Sequence, residues 1–222
     1  MAKEIILKTK RLILRPMPLK ELEQKVLQMA QGEERKAYTQ MLEGCRSHPE
    51  DWLWYTPWSI TLKENCIAIG DICFKGLQQN GTVEWGYGLD ESYRGRGYMT
   101  EAARVLLEWA FSQKDVYVVE AETLADNAAS QAILRKLGFK PTGTVGEEGP
   151  RFRREKQTAQ MSVVYMMLGM CCGMSLGVSA GNMSIGMVLG MAVGFALGTV
   201  IDSGEKKHRQ EVLTGQKEEK SA

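Results

Sequence analysis

The sequence predicts an α/β domain followed by a glycine-rich helical hairpin, and three observations support this prediction. Runs with the alternation of strands and runs with the 3.6-residue period of helices succeed one another through most of the chain. The best amphipathic helix, residues 100–113, directly follows a strand pattern that glycines interrupt. No charged residue occurs from Ser162 to Ile201, and glycine recurs there in two sets with a spacing of four.

The individual elements are predicted from apolar periodicity and from turn residues. The predicted strands lie at residues 8–17, 59–62, 66–74, 82–89, 116–123 and 157–168. The predicted helices lie at residues 18–29, 33–43, 100–113 and 127–137. Asn80–Gly81 predicts a hairpin turn, Thr100 is the expected N-cap of its helix, and Gly138 ends the helix after it. We therefore expect a domain over residues 1–168, a hairpin over 169–201 and a charged, disordered tail over 202–222.

Composition and charge argue against several classes of function. The 222 residues carry 28 Lys and Arg against 27 Asp and Glu, which provides no bulk positive field for nucleic acid. Five cysteines without a Cys-x-x-Cys pair, together with two histidines, do not form the pattern of a zinc site. We expect no metal and no nucleic acid partner. Reduced thiols and a charged N-terminus without an apolar signal core indicate a cytoplasmic protein.

The clearest chemical signal is the run Tyr93–Glu101, which lies between the glycine-interrupted strand and the best helix. Backbone N–H groups at a helix N-terminus are unpaired and bind anions. The two glycines of the run let that backbone approach a diphosphate closely, and its two arginines add charged donors. A surface turn and an RGG-type RNA contact are the alternatives. Dinucleotide-binding and P-loop motifs fit poorly, because Thr100 occupies the third glycine position and no Gly-Lys-Ser/Thr follows.

A second motif is Asn127–Phe139, a capped helix that ends in glycine and follows the next strand. With both motifs in this order, the chain resembles the GNAT acyl-CoA N-acyltransferases, especially the branch that acetylates the N-termini of ribosomal proteins. The resemblance runs from about Lys8 to Leu168. The family's Arg/Gln-x-x-Gly-x-Gly/Ala motif corresponds to Arg94–Met99, and Met99 departs from it at the last position. We expect Met99 to crowd the loop without abolishing binding.

The resemblance implies a mixed, mostly antiparallel sheet that splays after the strand ending at Leu89 and is flanked by helices. It also implies acetyl-CoA as the cosubstrate, with the pantetheine arm inserted as a pseudo-strand beside that strand. Independently, glycines inside a strand often mark a place where another molecule approaches the backbone. The cofactor-binding residues that the resemblance implies are Tyr87, Leu89, Arg94, Gly95, Arg96, Gly97, Tyr98, Met99, Thr100, Asn127 and Ser130.

The reaction that the resemblance implies is direct attack of a primary amine, either a protein N-terminus or a small amine, on acetyl-CoA. The ammonium must first lose a proton, and Glu84 is the candidate base, although a solvent-facing strand carboxylate is an equal alternative. Many family members place a tyrosine in the second helix to protonate the leaving thiolate, but this chain has Leu134 there, so Ser130 is the candidate donor. Met99 and Leu134 leave open a non-catalytic protein that binds acyl-CoA as a sensor.

The glycine-rich segment forms two small-xxx-small repeats separated by Gly181–Asn182. Such repeats place glycine on one helix face, so that two helix backbones can touch. Residues 163–181 and 183–201 each fall within the length range of membrane-spanning helices. Basic residues flank the run on both sides, which indicates that both ends lie on the cytoplasmic side. These basic residues are Arg151, Arg153, Arg154, Lys156, Lys206, Lys207 and Arg209.

Three alternatives remain for this segment, because the expected last strand would shorten its first helix. They are a thin or re-entrant hairpin, a soluble zipper that makes a homo-oligomer, and a full span that takes residues from the strand. We favour membrane association of the segment, with the enzyme domain at the inner face of the membrane. A further alternative is that the hairpin is the functional element and the enzyme domain a passenger.

Overall fold

The computed structural model describes residues 5–158 and 160–214. The chain divides into two compact units, Met1–Lys156 and Gln157–Ala222. The strands are β1 Leu7–Lys8, β2 Leu12–Pro16, β3 Trp58–Leu62, β4 Ala68–Leu77, β5 Thr82–Leu89, β6 Val118–Glu122, β7 Lys140–Val145 and β8 Pro150–Glu155. The helices are α1 Leu19–Gln28, α2 Glu33–Ser47, α3 Tyr98–Ser112, α4 Ala128–Lys136, α5 Met161–Ser179 and α6 Met183–Leu213.

The first unit is built on one sheet with the strand order β1-β2-β3-β4-β5-β6-β8-β7. Every neighbouring pair is antiparallel except β5 and β6, which are parallel. That parallel pair needs a crossover, and the chain makes it through α3. The structure thus confirms the predicted mixed, mostly antiparallel sheet with flanking helices.

The sheet splays in its middle, as predicted. β5 pairs with β6 only from Thr82 to Trp85, whereas its pairing with β4 continues to Leu89. Within the described residues, the segment Gly86–Leu89 therefore has a strand neighbour on one edge and none on the other. The opened edge lies directly before the loop that leads into α3.

The main core fills the space between the sheet and α3. The apolar stripe of α3 supplies small and branched side chains that are fully buried, among them Ala102, Leu106 and Ala110. The sheet supplies larger groups such as Trp58 and Trp85, both almost completely buried. This packing of a helix stripe against an alternating strand face fixes where α3 begins. It thereby positions the loop before the helix.

The last predicted strand is wrong. None of the described residues between 157 and 168 joins the sheet, which closes instead with β7 and β8, and α5 begins at Met161. The unit boundary therefore falls after Lys156 and not at residue 168. The sequence pattern misled because Ser162–Leu168 is a short apolar run, and such a run is compatible with a buried strand as well as with a helix. The hairpin consequently has two complete helices.

Two further boundaries differ from the prediction. Helix α6 continues to Leu213, so residues 202–213 are helical and not a disordered tail, while 215–222 lie outside the described residues. Helix α3 begins at Tyr98 with Gly97 as its N-cap, so Thr100 lies inside the first turn. A side-chain cap was expected at that end, but the backbone conformation of a glycine makes the turn.

Candidate active site

The loop before α3 turns sharply through a glycine. Gly97 has φ +77°, in the left-handed region that side chains with a Cβ avoid. The first amide to bond back along the helix is that of Glu101, which donates to the carbonyl of Gly97. The amides of Tyr98, Met99 and Thr100 precede that bond and are free to donate to an anion. These are the three helix positions that the sequence predicts for diphosphate binding.

The side chain of Met99 does not crowd this loop. It is 4% exposed and belongs to the main core beneath α3. Only its backbone amide is available at the helix N-terminus. The Met99 side chain, which departs from the family motif, therefore packs in the core. The prediction that it crowds the loop is wrong.

Arg11, which the sequence analysis did not select, supports the loop from outside. Its Nη1 donates to the carbonyl of Arg96 at 3.1 Å, and its Nε donates to Glu101 at 2.7 Å. Thr9 and the Arg11 amide also donate to Glu101, at 2.6 and 2.9 Å. Partial burial of the carboxyl raises the pKa of Glu101, but these hydrogen bonds outweigh it and hold the pKa below its usual range. The loop is thus tied to the chain before β2.

The opened edge of β5 carries backbone groups that the sheet does not use. The amide of Asp90 donates to Ile69 on the β4 side, and backbone direction alternates along a strand. The N–H and C=O groups of Tyr87 and Leu89 therefore face the splay. The carbonyl of Leu89 already accepts a hydrogen bond from Arg94 Nε at 3.0 Å. The remaining groups suit an extended chain laid against the strand.

Two hydroxyl groups meet beside this edge. The Tyr87 hydroxyl oxygen and Ser130 Oγ lie 2.8 Å apart. Burial raises the pKa of Tyr87, although its hydrogen bond with Ser130 acts in the opposite direction, so the phenol stays protonated at neutral pH. Asn127 caps α4 by accepting a hydrogen bond from the Ser130 amide at 3.0 Å. Leu134 is completely buried and lies in the core.

A cleft of about 1540 Å³ lies on the other side of the splayed strand. Its lining includes Gly86 and Gly88 of β5, and an added Cβ at Gly88 would meet nothing within 4 Å. Several aromatic residues lie in the chain just before β3 and at its start. Of these, Tyr55 lines the cleft, while Trp54 and Trp58 are buried in the core. The glycines therefore leave the floor of the cleft open at the strand.

The cleft contains a carboxylate that the sequence analysis missed. Asp71 on β4 lies opposite Gly88 in the register and accepts a hydrogen bond from the Tyr38 hydroxyl. Lys25 Nζ lies 3.6 Å from the same carboxylate and donates to the Tyr38 oxygen at 2.6 Å. Burial raises the pKa of Asp71, although Tyr38 and Lys25 act in the opposite direction. The one sequence signal was a charged residue inside an apolar strand pattern.

Glu84, the predicted base, lies in a different environment. Its carboxylate is mostly buried and forms an ion pair with Lys75 Nζ at 2.5 Å. Lys75 lines the cleft and also pairs with Glu148 at 3.3 Å. Burial lowers the pKa of Lys75, but the two glutamates outweigh it and raise the pKa. Glu84 is thus connected to the cleft through the lysine.

The cleft also contains a thiol. Cys73 donates from Sγ to the carbonyl of Gly86 at 3.6 Å. Burial raises the pKa of Cys73 to about 12. Since the thiolate is the nucleophilic form, this cysteine is a poor nucleophile near neutral pH. Among the residues that the structure describes, no group of three or more His, Cys, Asp or Glu side chains could hold a metal ion.

A sheet splayed beside a glycine loop at a helix N-terminus is the architecture of an acyltransferase fold. A family model described as an acetyltransferase (GNAT) domain matches residues 11–140. This match covers more than half of the chain, and the protein belongs to the GNAT acetyltransferase family. The described site lies within the matched region, except for the C-terminal end of the cleft at Glu147 and Glu148.

Curated relatives carry related names. The chain is 38% identical over 86 residues to the uncharacterized N-acetyltransferase YjdG of Bacillus subtilis, over 38% of this chain and 51% of that protein. It is 30% identical over 109 residues to the uncharacterized N-acetyltransferase p20 of Bacillus licheniformis, over 49% of this chain and 58% of that protein. The chain therefore spans little more than half the length of these relatives.

Solved structures share the fold. A ribosomal-protein-S5-alanine acetyltransferase from Vibrio fischeri matches with a TM-score of 0.53 and 15% identity, over 69% of this chain and 98% of that one. A putative ribosomal-protein-serine acetyltransferase from Vibrio cholerae matches with a TM-score of 0.52 and 18% identity, over 70% and 99%. A RimL ribosomal L7/L12 α-N-protein acetyltransferase in complex with coenzyme A matches at 0.50 and 21%, over 68% and 98%.

Proposed function

We propose that this protein transfers an acetyl group from acetyl-CoA to a primary amine bound in the cleft beside β5. One observation carries the proposal: the unpaired edge of β5 leads directly to a glycine loop with three free amides at the N-terminus of α3. A diphosphate on the loop and a pantetheine arm along the edge would bring the thioester to the splay. Family membership and the coenzyme A complex of a structural neighbour support this choice of cosubstrate.

The reaction begins when an ammonium in the cleft gives up its proton. Glu84 remains a candidate base, but the environment of Asp71 fits the task better, because Asp71 lines the cleft opposite Gly88 and burial raises its pKa. The amine nitrogen then attacks the thioester carbonyl carbon. A backbone N–H of Tyr87 or Leu89, which faces the splay, would stabilise the charge that develops on the carbonyl oxygen.

The intermediate collapses by breaking the carbon–sulfur bond, and the leaving thiolate takes up a proton. Ser130 is placed to supply it. The attacking nitrogen releases its second proton as the amide forms, and this proton can return to Ser130 through the Tyr87 hydroxyl at 2.8 Å. Many family members have a tyrosine at the position of Leu134, and leucine has no proton to give. The Ser130–Tyr87 pair would therefore act in place of that tyrosine. The sequence analysis gave Tyr87 a role in cofactor binding only, and the proposed role of its hydroxyl group comes from the structure.

Transfer is proposed to be direct, without an acetylated enzyme. Two cysteines line the cleft, Cys66 and Cys73. Cys73 lies opposite Gly86 of the splayed strand, and its pKa of about 12 keeps it protonated at neutral pH. A mechanism with an acetyl-cysteine intermediate would require a cysteine thiolate beside the splayed strand. The proposed acceptor class includes protein N-termini, which two structural neighbours modify according to their names.

The central experiment measures release of coenzyme A thiol from acetyl-CoA by the full chain with a panel of amines and N-terminal peptides. Turnover with at least one amine supports an acetyltransferase. Binding of acetyl-CoA without release in the presence of any tested amine favours the alternative of a non-catalytic sensor, which the replacement at Leu134 motivates.

The base is identified with three matched amide variants. We expect Asp71→Asn to lower kcat/KM about 100-fold or more while acetyl-CoA affinity is unchanged. Glu64→Gln, which changes an exposed carboxylate in the turn before β4, is the control and should leave turnover unchanged. If Glu84→Gln abolishes turnover and Asp71→Asn does not, Glu84 is the base.

A further inference from the structure

The second unit is a helical hairpin that is closed by its own glycines. Helices α5 and α6 pack with their backbones in contact along Gly169, Gly173 and Gly177 on one side and Gly186 and Gly190 on the other. A methyl carbon added at Gly190 would lie 2.8 Å from the Cα of Gly173 and would overlap the carbonyl oxygen of Gly169. The glycine faces of α5 and α6 are therefore buried against each other within one chain. They are not available to join a second copy.

The outward faces of the same hairpin are apolar and uncovered. Large side chains that point away from the partner helix include Leu176, Leu189, Val193, Leu197 and Val200, all at least half exposed. Two such helices, Met161–Ser179 and Met183–Leu213, are long and apolar enough to cross a membrane. In water, an apolar surface that continues around both helices would be a strong driving force for association.

The length of the hairpin matches the thickness of the hydrocarbon core of a lipid bilayer. Helix α5 has 19 residues, which at 1.5 Å per residue gives about 28 Å. The uncharged part of α6, residues 183–201, has the same length. The hydrocarbon core of a bilayer is about 30 Å thick. Two antiparallel helices of this length place the turn Ala180–Asn182 at one surface and both chain ends at the other.

Several polar side chains within this length form hydrogen bonds inside the hairpin. Ser175 and Ser179 donate to carbonyls one turn earlier, at 3.2 and 3.3 Å, and Thr199 does the same at 2.8 Å. Asp202 of α6 accepts from the first amides of α5, Met161 at 2.7 Å and Ser162 at 3.0 Å. Hydrocarbon demands such internal pairing, because it offers no water to unpaired donors.

The charges are distributed in the way a membrane surface requires. Asp202 stands at the open end, and Glu205, Lys206 and Lys207 follow it in the next two turns of α6. The preceding arginines contribute less than the sequence suggested, since Arg151 pairs with Glu122 and Arg153 lies near Glu120, both within the sheet. The turn end has no charged residue. Cationic side chains beside a span favour anionic lipid headgroups on the cytoplasmic side.

We propose that residues 161–201 insert into a lipid bilayer as a closed glycine-zipper hairpin and anchor the acetyltransferase unit at the cytoplasmic surface. The occupant of the apolar faces is lipid, because the glycine stripes that would hold a second copy are already buried between α5 and α6. The proposal is independent of the enzyme reaction, since the anchor involves none of the residues of the first unit.

The first test is flotation of the full chain with vesicles of phosphatidylcholine and phosphatidylglycerol. We expect most of the protein to float with the vesicles and to remain bound in 0.5 M salt, because salt screens the attraction between charges but does not weaken the burial of apolar side chains. Release by salt would show attachment through Lys206 and Lys207 alone and would overturn insertion. A protein that stays in the soluble fraction would also overturn it.

The chain's own cysteines provide the second test. Cys66 in the first unit and Cys171 and Cys172 in the middle of α5 are all exposed. In vesicles, a water-soluble maleimide should label Cys66 and leave the α5 pair unmodified. Labelling of all three would overturn insertion. If Cys171 and Cys172 were protected from the maleimide in a soluble oligomer without vesicles, a second copy of the chain would cover the apolar faces. That result would also overturn insertion.

Matched lysine variants locate the lipid face. Leu189→Lys and Val193→Lys each place a charge on an exposed position near the middle of the uncharged part of α6, residues 183–201, without touching the glycine faces. We expect each to reduce the floating fraction severalfold. Gly204→Lys, at a helical position with no neighbour within 4 Å and beyond the uncharged run, is the control and should float like the unchanged protein. Equal flotation of all three variants would contradict the proposed depth.

Discussion

Glycine serves opposite purposes in the loop before α3 and in the hairpin. In the loop, Gly95 and Gly97 have φ near +75°, and an added Cβ would meet nothing at Gly95 and only Arg11 Nη2, at 3.7 Å, at Gly97. In the hairpin, Gly190 has a helical backbone, but its surroundings leave no room for even one methyl group. The loop therefore needs the conformational range of glycine, and the hairpin needs its small volume. The same substitution, glycine to alanine, should separate these two requirements.

The largest effect is expected for Gly190→Ala. The added methyl group would overlap the backbone of α5, and the two helices could accept it only by moving apart along their length. We expect the hairpin to lose about 3 kcal/mol of its free energy of unfolding, at the upper end of typical overpacking costs. Loss of helicity during denaturation in detergent micelles measures it. An unchanged midpoint would show that the helices do not pack through their glycines.

The next effect is expected for Gly97→Ala. Its side chain would have ordinary contact distances, with Arg11 Nη2 at 3.7 Å, so the cost is backbone strain of about 1–2 kcal/mol. An exposed loop relieves such strain by changing conformation, and we expect acetyl-CoA affinity to fall about tenfold in titration calorimetry. Gly143→Ala in β7, with φ +80° and open space, carries the same strain away from the loop. If both variants weaken binding equally, the loop is not the binding site.

Arg11→Ala tests whether the loop depends on support from outside. The loop lacks the backbone-to-backbone packing of the hairpin, and Arg11 joins it to Glu101 and to the Arg96 carbonyl. Because Arg11 is partly exposed, we expect a loss of about 1 kcal/mol, or fivefold in acetyl-CoA affinity. Arg46→Ala, which removes an exposed arginine that pairs with Glu23, is the control and should not change affinity.

The same support predicts a dependence on pH. Hydrogen bonds hold the pKa of Glu101 below its usual value, so its contribution is present above the unfolded-state pKa of about 4.3. The contribution is lost as the pH falls through the lower pKa of the folded state. Acetyl-CoA affinity should therefore decline in acid below about pH 4. Glu101→Gln should flatten this decline, and an identical acid profile for the variant would assign it to another group.

The smallest effect, with the opposite sign, is expected for Gly204→Ala. This glycine lies in α6, has no positive φ, and has no neighbour within 4 Å. Alanine restricts the unfolded chain without any native strain, so the helix should gain roughly 0.5–1 kcal/mol. The midpoint of helix unfolding measures the gain. A destabilised variant would reveal a contact at Gly204 and would weaken its use as a control.

The sequence predicted the parts of the site that lie close together along the chain. The loop, the start of α3 within two residues, and the glycine-interrupted strand depend on local turn and helix chemistry, so short motifs report them. The motif pair also identified the fold and the family before any coordinates. The roles of individual residues at the splay, including Glu84 and Ser130, stay predictions until turnover is measured.

The rest of the cleft could not be predicted, because its groups come from distant parts of the chain. Lys25, Tyr38 and Asp71 belong to α1, α2 and β4, and nothing in their local sequence indicates that they share one proton network. Arg11 likewise meets Glu101 only because β2 and α3 pack on the same core. A one-dimensional pattern contains no information about which side chains such packing brings within hydrogen-bond distance.

The hairpin shows the same division in another form. The sequence alone determined that two apolar helices carry glycine on one face each, because a period of four residues places them there. Only the tertiary structure decided that those faces close on each other, that residues 161–168 belong to α5 and not to the sheet, and that large apolar groups remain outside. Local patterns set what each helix offers, whereas contacts between distant residues decide which face is used.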